Sequence, residues 1–197
     1  MASIVGHILT FLEEEEDAFW ALVCLMDDER YQMKELFLPG RPKIFPYFDH
    51  HLVLRKQFLP SVHKHLEKHN FEPNLYAFKW FALCYLESLP TSLVLRVWDV
   101  FLLEGEEILS AMAIALLKTC KKNILNSVDF EQLHDFFSKL NEIQVSSMAR
   151  GCFLIPIMIE IASTYIKYKS LDSCKIDKFA FQHQIIYLFS YINWNYS

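Results

Sequence analysis

The chain has 197 residues, enough for one domain with its own core, and 53% apolar with 15% aromatic content places it among globular proteins. Its formal charge of −5 excludes the concentrated basic face that a nucleic-acid binder needs. Four glycines set against many Leu, Phe and Lys favour helices over a turn-dense β fold.

In chain order, Ala2–Leu12 reads as a buried apolar helix, followed by the carboxylate block Glu13–Asp17. That block opens the next helix, Ala18–Met26, where acidic groups complement the N-terminal dipole by ~0.3–1 kcal/mol each. Phe19, Leu22, Val23 and Met26 form its apolar stripe, and Trp20 is assigned to packing. Tyr31–Leu38 is a short segment closed by Pro39-Gly40. A helical region over Phe48–His69 presents Leu52, Phe58, Leu59, Val62 and Leu66 to the core, with Pro60 kinking it or starting a new helix.

The stretch from Leu75 to Gly105 is the most informative. An aromatic helix Leu75–Leu86, with Asn74 as its cap, is followed by a Ser/Pro/Thr turn. A second helix, capped by Thr91 or Ser92, runs to Leu103 and ends at Gly105. Lys79 interrupts the first helix, and Arg96 and Asp99 stand three apart in the second, close enough to pair. Trp80 and Trp98 read as packing residues, and the Arg96/Asp99 pair as a tie between helices more than as a contact for a partner. Ile108–Thr119 forms a further helix with Lys118, Lys121 and Lys122 near its C-terminal end. Asp129 and Gln132 match a capping box for Phe130–Leu140.

Residues 1–144 carry a net −7 and residues 145–197 a net +2, a shift that marks a boundary between a helical body and an unrelated tail. Within the tail, Cys152–Ile161 is apolar but too short to span a membrane, which takes roughly 20 residues. Phe179–Ile192 is aromatic enough to form a helix. No signal peptide or transmembrane segment is evident, so a cytoplasmic location is expected. The cysteines at 24, 84, 120, 152 and 174 contain no Cys-x-x-Cys pair, and Cys24, Cys84 and Cys120 read as reduced core thiols.

Two histidines, His65 and His69, have the i, i+4 spacing of a metal pair. Glu67 stands one place too late for a zincin, projecting about 100° further round the helix, so a solvated helix face is the better reading. Neither a Gly-rich phosphate loop nor a Gly-x-Ser-x-Gly elbow occurs. The chain is therefore expected not to be an enzyme in its own right.

The Leu75–Gly105 block resembles the TBC domain, the module that activates Rab-type small GTPases. Glu-Glu-Asp-Ala-Phe-Trp-Ala-Leu-Val at Glu15–Val23, Phe37–Gly40, His50-His51, Phe58–Pro60, His65-Leu66, Ala111–Ala113 and Leu116–Lys118 extend the match from Met1 to about Leu140. The pattern is most similar to the RN-tre-like subgroup. The resemblance implies an all-α fold, here the C-terminal lobe of a two-lobed helical domain. It also implies a Rab-family GTPase as partner, peripheral association with endomembranes through that partner, and a role in vesicle trafficking.

In the family an Ile-x-x-Asp-x-x-Arg motif supplies an arginine to the transition state, and a Tyr-x-Gln motif supplies a glutamine that orients water. An arginine finger accelerates phosphoryl transfer by ~10³–10⁵. Neither motif occurs here. Asp27–Arg30 has the Asp-x-x-Arg spacing, but Cys24 replaces the Ile and the segment corresponds to a family loop. No catalytic, cofactor-binding or metal residue is therefore assigned, and no cofactor is expected. Two functions follow: a Rab GTPase-activating protein whose finger motifs are not in these residues, or a non-catalytic Rab-binding module. A lobe without its companion is also expected to expose apolar surface.

Overall fold

In the computed structural model, which describes residues 1–140, every regular element is helical. The boundary at 145, the segments Cys152–Ile161 and Phe179–Ile192, and Cys152 and Cys174 lie outside the described residues. The order is α1 (Ala2–Leu9), α2 (Glu15–Asp27), a 3-10 turn (Met33–Leu36), α3 (Ile44–Phe58), α4 (Pro60–Lys68), α5 (Pro73–Tyr76) and α6 (Phe78–Ala82). Then come α7 (Thr91–Glu104), α8 (Glu107–Thr119), α9 (Lys121–Asn126) and α10 (Phe130–Ser138).

Prolines set several starts. Pro60 occupies the first turn of α4, so it begins a new helix, and Pro73 does the same for α5. Asn74 is therefore inside the first turn and not a cap. Pro90 takes the cap position of α7, which places Thr91 and Ser92 in its first turn. At α10 the capping expectation holds: Asp129 Oδ1 accepts from the Gln132 backbone N–H at 2.8 Å, and Gln132 Oε1 accepts from the Val128 N–H at 3.1 Å.

The expected helix Leu75–Leu86 is broken twice. α5 gives way to α6 at Ala77, and the chain then turns with Cys84 and Tyr85 at φ +46° and +68°. Left-handed residues of this kind persist only where their surroundings over-determine them. Here Trp98 Nε1 donates to the Cys84 carbonyl at 3.0 Å, and the Tyr85 hydroxyl donates to the Leu109 carbonyl at 2.7 Å. Both side chains are fully buried, so tertiary contacts override the local helical pattern.

The core centres on α8, where every residue from Ile108 to Leu117 is buried. Helices α7, α3, α6 and α9 pack against it. Gly105, at φ +85° and ψ −163°, turns α7 into α8 in a region open essentially to glycine alone. A Cβ there would lie 2.8 Å from the Arg30 carbonyl oxygen, which accepts from the Glu106 N–H at 3.1 Å.

Three expected core assignments fail. Trp20 is 59% and Phe19 58% exposed, and Cys24 is exposed as well. Periodicity identifies an apolar stripe on α2 but not a covering element, and among the described residues that stripe is only partly covered.

Replacing Gly105 by Ala is expected to destabilise the chain by at least ~2 kcal/mol, combining backbone strain with the clash on Arg30. Gly40→Ala, also at positive φ but in open space, should cost only about 1 kcal/mol. Urea unfolding of the two variants measures the difference.

Candidate functional site

The aromatic block is mostly interior. Trp80 and Trp98 are buried, as expected, and Trp80 stacks on Tyr85 and meets Phe137 at a tilt. Trp98 meets His7 of α1 at 4.6 Å and Phe101 at 5.5 Å. Lys79 reaches solvent and pairs with Glu87 at 3.2 Å, while Glu87 also accepts from the Ser3 hydroxyl at 2.7 Å. This exposed trio joins α1 to the turn after α6. Arg96 and Asp99 lie 3.7 Å apart, and partial burial raises the Asp99 pKa against the lowering effect of Arg96. A pair at that separation on one helix contributes only ~0.2–0.5 kcal/mol.

Two buried polar centres escape a hydropathy reading. The first joins α3, α4 and α5. Arg55, 1% exposed, donates from Nη1 to the Tyr76 hydroxyl at 3.0 Å and from Nε to His63 Nδ1 at 3.3 Å. The Tyr76 oxygen thus accepts from Arg55 and shares a 2.8 Å hydrogen bond with His51 Nε2. His63 must be unprotonated at Nδ1, so its proton sits on Nε2, facing Glu67 at 3.3 Å. Among the described residues no carboxylate pairs with Arg55. Its charge is held by neutral acceptors, an arrangement costly to break because a buried cation would lose its partners.

The second centre fixes the start of α8. Glu106 receives Lys43 Nζ and the Tyr47 hydroxyl, the latter at 2.8 Å. Lys43 also donates to the Gln32 carbonyl at 3.1 Å, and the Tyr31 hydroxyl donates to the Leu102 carbonyl at 2.6 Å. Burial and the Glu106 charge hold the Tyr47 phenol far above its ordinary pKa, so it stays a donor. Residue type alone would place Lys43 and Arg55 at the surface. For His51 and Arg55 the signal was register: Ile44, Tyr47, His51, Leu54 and Arg55 share one helical stripe, and all are buried.

The remaining sequence candidates stand apart from these centres. Arg30 closes on Asp28 through a 3.1 Å ion pair, while Asp27 pairs with Lys34 at 3.2 Å, so Asp27 and Arg30 do not act together. His65 and His69 face each other at 4.8 Å between ring centres. His65 is nevertheless not simply solvated: its Nε2 donates to the Ser127 carbonyl at 3.1 Å and ties α4 to the turn after α9. Among the described residues no group of three or more His, Cys, Asp or Glu is arranged to hold a metal. Burial pushes the Cys84 thiol up to about 12 and the Cys120 thiol up to about 11, as expected of core thiols. Among the described residues no helix is long and apolar enough to cross a membrane.

Comparison with known proteins defines the class. The family model of the Rab-GTPase-TBC domain matches residues 1–125. The chain is 32% identical over 164 residues to the ecotropic viral integration site 5 ortholog of Drosophila melanogaster, covering 83% of this chain and 20% of that protein. It is 32% identical over 150 residues to TBC1 domain family member 12 of Xenopus tropicalis, covering 76% and 22%. The solved Chlamydomonas flagellar RabGAP TBC domain superposes with a TM-score of 0.63 at 26% identity, covering 83% of this chain and 51% of that one. The Ypt/Rab-GAP domain of Gyp1p gives 0.62 at 21% identity, covering 80% and 46%, and bears on the fold alone.

The chain belongs to the Rab-GTPase-TBC domain family, and its described fold is all-α, like the helical RabGAP domain it superposes on. It spans about a fifth of the length of the curated relatives it matches. One expectation is corrected by this membership. The chain was expected to be no enzyme, whereas members of its family are GTPase-activating proteins that act on GTP hydrolysis.

The polar centre on α3 yields a pH dependence. Complete burial, then the charges of Arg55 and His50, lower the His51 pKa to about 3, and burial also lowers that of His63. An unfolded imidazole titrates near 6.5, so below that pH the unfolded chain binds protons that the folded chain refuses. The stability contributed by neutral His51 is complete above ~6.5 and is lost as pH falls toward 3. Urea unfolding between pH 7.5 and 4.5 is expected to show an acid loss of up to ~1.4 kcal/mol per pH unit per group, with a shallower slope in His51→Gln.

Proposed function

We propose that this chain serves in the control of a Rab-type GTPase, as the scaffold lobe of a GTPase-activating TBC domain. The observation that carries this reading is the family match over residues 1–125, spanning α1 to α8 and into α9, on a lobe whose solved relative is a RabGAP domain. The interior chemistry is consistent with a scaffold. Arg55, His51, Lys43 and Glu106 are committed to joints between helices and are not presented to a partner.

The arginine and glutamine finger motifs do not occur in these 197 residues. Transition-state charge on the transferring phosphoryl group needs such donors. The 197 residues alone are accordingly proposed to be deficient in activation, with residues 1–144 forming the lobe. A cytoplasmic place, peripheral to endomembranes through the GTPase and within vesicle trafficking, follows from the same reading. Non-catalytic binding to a Rab, without acceleration, is the second reading, favoured by the same absence of fingers.

Single-turnover GTP hydrolysis across a panel of purified Rabs, with and without the 197-residue chain, tests this. No acceleration is expected for any Rab. An acceleration abolished by Arg30→Ala would show that the Asp27–Arg30 segment supplies a finger, against the present assignment. Retention of a GTP-loaded Rab on the immobilised chain without faster hydrolysis would select the binding module.

A further inference from the structure

The joint around Arg55 rests on a titratable acceptor. α3 ends at Phe58 and α4 begins at Pro60, so one residue, Leu59, connects the two helices. Across that corner Arg55 Nε donates to His63 Nδ1 at 3.3 Å, and Nη1 donates to the Tyr76 hydroxyl of α5 at 3.0 Å. A buried guanidinium keeps its charge at any ordinary pH and needs acceptors throughout. The Tyr76 phenol, pushed up to about 12 by burial, remains a neutral hydroxyl and can always accept. His63 can accept only while its Nδ1 is bare.

Protonation would turn Nδ1 from an acceptor into a donor that faces a donor. Among the described residues, the charges acting on the ring are Arg55 and Lys56 of α3 and Glu67 of α4. An imidazolium is thus repelled on its α3 side and drawn toward Glu67, which lies 3.3 Å from Nε2 and is exposed. His51, behind Tyr76, does not compete for the proton, because complete burial lowers its pKa to about 3. The second histidine tie on α4 responds differently. His65 Nε2 donates to the Ser127 carbonyl at 3.1 Å, and a donor keeps its bond in either protonation state.

We propose that His63 is an acid-operated release for this joint: its protonation breaks the Arg55 bond, and α4 opens from α3 and α5 while its α9 edge stays tied through His65. The bonds that set helices around α8, from Trp98 to the Cys84 carbonyl and from Tyr85 to the Leu109 carbonyl, contain no histidine and stay closed. Burial, then Arg55, lowers the pKa of His63 in the closed joint, whereas in the open joint it returns toward the ordinary ~6.5. Below that pH the open form takes up a proton that the closed form refuses. The joint is therefore tightest above ~6.5 and loosens by up to ~tenfold per pH unit as pH falls. Nothing in this device requires a GTPase, and its outcome is independent of the hydrolysis assay.

Native-state hydrogen exchange of the full 197-residue chain at low urea, from about pH 7.5 to about pH 5.5, tests the assignment. The α4 amides from His63 to Lys68 are expected to exchange through a local opening that urea barely affects and that becomes about tenfold more frequent across this range. The α8 amides from Ile108 to Leu117 should exchange only through urea-dependent unfolding. His63→Asn sets an amide acceptor near the Nδ1 position without a titrating ring, and it should abolish the acid opening. Glu67→Gln removes the carboxylate that favours the imidazolium and should move the opening to lower pH. Glu67 is exposed, so this variant folds and decides the matter alone if His63→Asn loses its far-UV circular dichroism. The proposal is overturned if the α4 amides share the urea dependence of α8 at every pH, if the acid opening persists in a folded His63→Asn, or if Glu67→Gln leaves its pH unmoved.

Discussion

The fold depends on one constraint: α8 is buried on all sides for ten consecutive residues, from Ile108 to Leu117. A helix apolar around its whole circumference has no solvent face, so other helices must enclose it. Its small residues make that enclosure close. Ser110, Ala111, Ala113 and Ala115 let neighbouring backbones approach, while Ile108, Leu109, Met112, Ile114, Leu116 and Leu117 supply the buried volume. Each large side chain buried here is worth ~1.5–3 kcal/mol, most of which the ordering of the chain offsets. The net stability therefore rests on how well the surrounding helices are aimed.

That aiming is done by polar groups of kinds that composition alone would assign to the surface. Glu106, one residue before α8, gathers Lys43 and Tyr47 from the α3 region, while its own N–H is tied to the Arg30 carbonyl. Tyr85 fixes the turn after α6 to the Leu109 carbonyl, and Trp98 fixes α7 to the Cys84 carbonyl. On the far side of α3, Arg55, His51, His63 and Tyr76 form a joint with α4 and α5. The bonds of Glu106, Tyr85 and Trp98 set elements around α8 and the last set joins α3 to α4 and α5, and each would leave a buried polar group unsatisfied if a helix shifted.

Legibility in the sequence followed the kind of force involved. Helix existence was readable from apolar spacing, and stop signals such as Pro60, Gly105 and the Asp129/Gln132 cap fell where local chemistry requires them. The left-handed pair Cys84 and Tyr85 was not readable, because their local preference is helical and only the contacts to Trp98 and Leu109 turn the chain there. The buried Arg55 and Lys43 were hidden for a related reason: residue type predicts exposure, and only register on α3 indicates otherwise. Trp20 failed in the opposite direction. An aromatic side chain on an apolar stripe announces a partner, but the stripe does not carry the partner's identity.

The same distinction separates what this lobe is from what it does. Its described interior polar groups Arg55, Tyr76, Lys43 and Glu106 are engaged in joints between helices. GTPase activation concentrates its chemistry in a few donors placed at the developing charge, whereas the scaffold behind them is specified by packing. A family signature built on Trp80, Trp98 and the α8 core is therefore a signature of packing. Outside that packing, among the described residues, lies the acidic-flanked aromatic surface of α2, which carries part of the family resemblance as well.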